Sequence, residues 1–201
     1  MKIRTLTKQH LLLLAGMLFC FACTTEPEKT KEVAVETPVV RKNPFPFYTD
    51  IEVKPGLNFE VFSWGKGKDS IGGYQILMSD SLKKDYRSLS VERNGIVNDA
   101  WNMDLDNDGN PEIYVQILKN KTALDLNVFE YAGGSFNKIN FPSLTSNQKK
   151  GYKGNDKIFV KGGELYRSFP AEDAQDKTKT ITKTYQYKLR GNSFSTVENK
   201  P

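Results

Sequence analysis

The sequence predicts an all-β protein, an antiparallel β-sandwich or flattened barrel of about 8–10 strands. Three observations predict it. Apolar and polar residues alternate at period two in short runs. Turn-forming residues interrupt those runs roughly every 8 to 12 positions, and no helical period appears beyond the amino-terminal segment.

The runs follow in order. Leu57-Asn58-Phe59-Glu60-Val61-Phe62 alternates and stops at the turn Gly65-Lys66-Gly67-Lys68. Gly73 to Met78 is a second strand. Tyr86 to Val91 alternates up to Asn94-Gly95, a dipeptide that signals a hairpin. Glu112 to Leu118 and Leu124 to Tyr131 form a further hairpin. Ser135–Phe141, Asp156–Val160, Leu165–Phe169 and the long Thr180–Leu189 complete the set. No internal repeat is visible and the one acidic turn occurs once, which argues against a multi-blade propeller.

The amino-terminal segment has a different chemistry. Lys2, Arg4 and Lys8 form a positive start, and Leu11 to Phe19 is an apolar run. That run is shorter than the roughly 20 residues a membrane-spanning helix needs, and fits a secretory signal. Ala22-Cys23 follows, and the chain turns polar at once. A small residue before a cysteine at this place resembles the lipobox of bacterial lipoproteins, with Cys20 standing where leucine is usual. The resemblance implies that residues 1–22 are a lipoprotein signal peptide and that Cys23 carries the lipid. Ordinary signal cleavage, with Cys23 unlipidated, is the alternative. Residues 23–43, rich in Glu, Lys, Thr and Pro, cannot bury enough apolar surface to offset ordering entropy and are expected to form a disordered tether. Residues 44–201 are then the folded domain.

Composition excludes several chemistries. Removing Lys2, Arg4 and Lys8 lowers the formal charge from +5 to +2, and no basic stripe interleaved with aromatics remains, so no nucleic-acid partner is expected. The single histidine, His10, and both cysteines, Cys20 and Cys23, precede the folded part. Ser-His-Asp and Cys-His nucleophile systems are therefore excluded from it, as is a zinc site on His or Cys. The chain is not expected to be an enzyme.

The most specific local signal is Asp104-Leu105-Asp106-Asn107-Asp108-Gly109-Asn110-Pro111-Glu112. Carboxylates at alternate positions of a tight turn converge their oxygens, and hard oxygen ligands at that density suit calcium. Asp104, Asp106, Asp108 and Glu112 would ligate through side chains and Asn110 through its carbonyl. An EF-hand is excluded, because the twelfth position is Val115 rather than glutamate and both flanks read as strands. The alternative is a metal-free turn, in which Asp and Asn side chains bond their own backbone.

Further residues fall into a recognisable order. Ser70-Ile71-Gly72-Gly73-Tyr74 precedes a strand, the acidic turn precedes another, and Gly151-Tyr152-Lys153-Gly154-Asn155-Asp156 follows. Leu165-Tyr166-Arg167-Ser168-Phe169-Pro170 and Tyr185-Gln186-Tyr187 close the set. Together, over roughly residues 57–190, they resemble the periplasmic inhibitors of invertebrate-type lysozyme. The resemblance implies a β-sandwich, often a homodimer, that inserts a loop into the cleft of a lysozyme or related glycosidase. The family's Ser-Gly-x-x-Tyr element has no counterpart in the short hairpin Leu118–Leu124, so no inhibitory residue carries over. The expected contacts are instead Ser70, Gly72 and Tyr74 around one loop and Lys119 and Lys121 on the hairpin; the alternative is structural, with the glycines permitting a tight turn, Tyr74 packing as a strand aromatic and the lysines on a solvated turn. The expected role is that of an envelope lipoprotein that inhibits a glycan-cleaving enzyme, the alternative being a non-inhibitory envelope binding protein.

Overall fold

The computed structural model describes residues 43–65 and 71–199, all within the unit Arg41–Pro201. The signal segment, Cys23 and Ser70 lie outside the described residues, as does the expected tether up to Lys42. Among the described residues there are twelve strands and no helix. They form three antiparallel sheets of four strands, each built from consecutive strands. The first holds β1 (Phe47–Lys54), β2 (Leu57–Trp64), β3 (Gly73–Asp80) and β4 (Asp85–Glu92). The second holds β5 (Ile96–Met103), β6 (Glu112–Lys119), β7 (Ala123–Ala132) and β8 (Ser135–Ile139). The third holds β9 (Lys157–Lys161), β10 (Glu164–Glu172), β11 (Thr180–Arg190) and β12 (Ser193–Asn199).

The predicted all-β, antiparallel class is what the chain adopts, and the sheets stack in three layers. One apolar cluster joins the first sheet to the second: Phe59, Val61, Ile76 and Met78 meet Ile113, Val115, Ile117 and Phe129. The other joins the second to the third: Tyr114, Leu126, Val128 and Ile139 meet Leu165, Phe169, Tyr185 and Tyr187. Side chains in a strand alternate between faces. The middle sheet therefore has two inner faces, and every residue of β6 from Glu112 to Ile117 is buried. Burial of each large apolar side chain contributes about 1.5–3 kcal/mol, and this sheet collects that contribution on both sides.

Asn94-Gly95 does not close the hairpin that the dipeptide suggests. β4 belongs to the first sheet and β5 to the second, so the dipeptide marks a step between layers. Glycine is required there for close approach: a Cβ on Gly95 would lie 2.5 Å from the Leu118 carbonyl oxygen. The β6–β7 hairpin forms as predicted, with Lys119 opposite Ala123. Its turn is tight. Asn120 and Lys121 are both left-handed (φ 48° and 64°), and Thr122 N–H donates to Lys119 C=O at 3.2 Å, as in the turns that match the twist of paired strands.

Two strands had no clear signal. In β1 only Ile51 is buried, and β12 presents Phe194 as its one residue packed on the apolar cluster. Both are outer strands, where one face and one edge meet water and the alternation is diluted by polar residues.

Candidate functional site

The acidic turn connects β5 to β6, with Met103 opposite Glu112 at its base. Its backbone is shaped by its own side chains. Asp104 Oδ1 accepts from Asp108 N–H at 2.9 Å and Asp104 Oδ2 from Gly109 N–H at 3.0 Å. Asp108 Oδ1 and Oδ2 accept from the backbone and side-chain amides of Asn110 at 2.8 and 3.0 Å. Asn107 (φ 58°) and Gly109 (φ 87°) take the left-handed region that this coil demands. At the far end Tyr131 N–H donates to Pro111 C=O at 2.9 Å, tying the turn to β7.

Beneath the exposed aspartates lies a second layer of carboxylates. Glu112 is fully buried; its Oε2 accepts from Leu105 N–H at 2.8 Å and from the Tyr114 hydroxyl at 3.4 Å. Its Oε1 is buried without a hydrogen-bond partner, and so is Asp106 Oδ1. Glu130, on β7, stands directly opposite Glu112 and is only 8% exposed. Two sets of carboxylate oxygens lie within 4.8 Å of one another: Asp104, Asp106 and Asp108, and below them Asp106, Glu112 and Glu130. Either set could hold a metal ion.

The electrostatics follow from burial. Loss of water pushes the Glu112 carboxyl up to about 7; the neighbouring Asp106 and Asp104 add to this, and the Leu105 amide opposes it. Burial also raises Glu130, with Asp108 and Asp106 adding to it and Asn137 opposing. Like charges directly opposite on neighbouring strands destabilise a sheet, and a buried carboxylate without a counter-charge is costly.

Asp104, Asp106, Asp108 and Glu112 fall within these two sets, and Glu130 is the carboxylate that the linear spacing missed. Its signal was the register: counting outward from Lys119 opposite Ala123 brings Glu130 opposite Glu112. Asn110 stands out differently, since both its amides serve Asp108.

The expected binding residues separate. Tyr74 is fully buried against Phe59, Ile76 and their neighbours, which corrects its expected place at a partner surface: strand alternation turns it inward. Gly72 sits at φ 118°, where a Cβ would lie 2.2 Å from the Trp64 carbonyl oxygen; it lets the two ends of the 65–72 loop close. Lys119 is ion-paired to Asp125, whereas Lys121 is exposed on the left-handed turn.

The base of the 65–72 loop is held by Arg93, a buried side chain. Its guanidinium donates to the carbonyls of Gly65 and, at 2.8 Å, of Ile71, on the two sides of the loop. It also donates to Trp64 C=O at 3.2 Å and Gly95 C=O at 2.7 Å. Beside this clamp lies a groove of ≈ 510 Å³ lined by Trp64, Ile71, Gly73, Val91 and Arg93 among others. Trp64 is 40% and Ile71 58% exposed. Phe45, Phe62 and Trp64 continue as an aromatic row, with centroids 4.5 and 6.4 Å apart. Compared with family models, with curated proteins and with solved structures, the chain finds no match.

Proposed function

We propose that this chain is a bacterial envelope lipoprotein, anchored through Cys23, that binds and inhibits a lysozyme-like glycan-cleaving enzyme, with calcium bracing its acidic turn. The observation that carries the binding role is the Arg93 clamp. Exposed side chains offered to a partner bind better when the backbone beneath them is held beforehand, because immobilising it on binding lowers affinity. Arg93 fixes both ends of the loop through the Gly65 and Ile71 carbonyls, beside the exposed Trp64 and Ile71. Aromatic anchors of this kind are what protein interfaces use at their centres. Lys66 and Lys68 in the loop's sequence suit a glycosidase cleft, which carries two carboxylates.

A binding role is favoured over catalysis by the chemistry in place. Residues 24–201 contain neither histidine nor cysteine. The clustered carboxylates point to one centre rather than facing each other across a substrate, as glycoside hydrolysis requires. Calcium is favoured for the turn because every candidate ligand atom is oxygen and the cluster is strongly acidic.

One observation favours the non-inhibitory alternative: the β6–β7 turn is short and lacks the serine, glycine and tyrosine of the inhibitors it would resemble. Titration of the mature Cys23→Ser chain into invertebrate-type, chicken-type and goose-type lysozymes separates the two. Micromolar or tighter inhibition of any one supports the inhibitor. Absence of binding to all three by calorimetry removes it and leaves an envelope binding protein.

A further inference from the structure

The geometry points to the inner trio, Asp106, Glu112 and Glu130, as the seat of the cation, with Glu130 a ligand reaching in from β7. This rests on the reading that the acidic turn takes calcium, and it relocates the ion. The outer carboxylates already have work: both oxygens of Asp104 accept backbone N–H groups of the turn, and both of Asp108 accept from Asn110. They are the side-chain-to-backbone bonds of a self-capped turn.

The inner trio is built differently. Glu112 is fully buried, and its Oε1 has no hydrogen-bond partner. Asp106 contributes a second buried oxygen without a partner. Glu130 is 8% exposed and faces Glu112 across the β6–β7 ladder. Oxygens of all three lie within 4.8 Å of one another. Calcium–oxygen distances of about 2.3–2.6 Å place ligands on opposite sides of the ion roughly 4.6–5.2 Å apart, and neighbouring ligands closer. The trio is therefore close enough for its oxygens to share one calcium ion. Two buried glutamates beside a half-buried aspartate, with two orphaned oxygens among them, make little sense as a metal-free core, where unpaired buried polar groups are rare and each is costly.

The consequence is a cross-link. Asp106 belongs to the turn, Glu112 to β6 and Glu130 to β7, so one ion would join three successive segments of the middle sheet. The outer aspartates shape the turn that delivers Asp106 and leave the remaining coordination positions to water.

Terbium, a calcium substitute that emits when nearby aromatic rings are excited, tests this on the mature Cys23→Ser chain. Tyr114 lies against Glu112 and stacks on Trp101, so terbium in the inner trio is sensitised by these rings and displaced by calcium. Glu130→Gln and Glu112→Gln should each weaken terbium and calcium binding by roughly tenfold or more, and Asp108→Asn by less than about threefold. Both glutamine variants keep the side-chain volume and remove a buried charge, so in chelator they should melt no lower than wild type. If Glu130→Gln does not fold, Glu112→Gln decides. Wild-type affinity in the glutamine variants, or an Asp108→Asn loss as large as theirs, would place the ion in the outer set and overturn the inference while sparing the calcium reading. A wild-type chain that binds neither ion removes both.

Discussion

Trp101 lies flat on Tyr114, their ring planes 6° from parallel and their centroids 5.6 Å apart. The two residues are directly opposite on β5 and β6, so the stack bridges the strands that carry the acidic turn. Tyr114 also donates its hydroxyl to Glu112 at 3.4 Å. Tyr114→Phe keeps the stack and removes only that long hydrogen bond, and is expected to cost about 1 kcal/mol. Tyr114→Ala removes a fully buried ring and should cost about 3–5 kcal/mol. Urea denaturation of the two variants measures the difference.

The pH dependence in chelator follows from Glu112. Burial pushes its carboxyl up to about 7 in the folded chain, from the 4.5 of an ordinary glutamate. The folded state thus holds the proton over a window in which the unfolded state has lost it. Stability is fully present below about 4.5 and falls as pH rises through about 7, by up to ~1.4 kcal/mol per unit inside the window. Glu130, facing Glu112, is raised in the same direction and adds to the fall; Asp104 and Asp106 supply the repulsion. Glu112→Gln should flatten the profile. Urea midpoints between pH 4 and 8 in chelator check the sign, and a rise with pH in wild type would contradict it.

Saturating calcium reverses that trend, because the ion binds ionised carboxylates. At a hundredfold excess over Kd it adds about 2.7 kcal/mol, or a rise of roughly 5–10 °C in Tm for a chain of this size. Calorimetric melts with calcium and with chelator read the difference directly.

Arg167 and Asp156 form a buried ion pair at 2.7 Å. Arg167 also donates to Leu124 C=O at 3.0 Å, and Asp156 accepts from Leu124 N–H at 2.9 Å and from the Tyr152 hydroxyl at 2.9 Å. The pair therefore locks the turn end of the β6–β7 hairpin to the third sheet. Asp156→Ala strands a buried guanidinium and should cost about 3–5 kcal/mol. Arg167→Met together with Asp156→Leu should cost less than the two single changes combined, as a double-mutant cycle in denaturant will read.

Trp64→Ala is expected to weaken binding to whichever lysozyme responds by about 2 kcal/mol, the scale of an interface anchor, with little change in Tm. Calorimetric titration alongside a thermal melt tests both halves. Equal affinity in the variant would move the contact surface away from the 65–72 loop.

Cys23→Ser should release the protein from the membrane fraction or stop its processing. Fractionation with mass analysis of the mature chain decides, and unchanged membrane retention at unchanged mass would refute the anchor.

Period-two alternation made the fold class legible, because β2, β6, β10 and their partners bury one face or both in regular order. Layer assignment was less so. Asn94-Gly95 has hairpin chemistry, yet the chain there crosses between sheets, and nothing local distinguishes a turn between paired strands from one between layers. β1 and β12 carried little signal because outer strands bury so little. The linear spacing of Asp104 to Glu112 found the turn but could not find Glu130, whose place depends on strand register. For Tyr74 the sequence placed the strand but left the face open, and the pleat turns its ring inward, away from the partner surface it was assigned to.

Each sheet is drawn from one unbroken run of chain, and this has a bearing on how the protein comes into being. Partners within a sheet are close in sequence, so loop closure is inexpensive and pairing is fast. Docking of the layers needs distant segments. A chain emerging amino end first can complete β1–β4 while the inner side of that sheet, with Phe59, Val61, Ile76 and Met78, is still wet. β5–β8 then covers it and bares a new apolar surface through Tyr114, Leu126 and Val128. Until the last four strands arrive, the nascent protein is two-thirds built and adhesive, which makes that interval the moment at which misassembly or a chaperone would take hold.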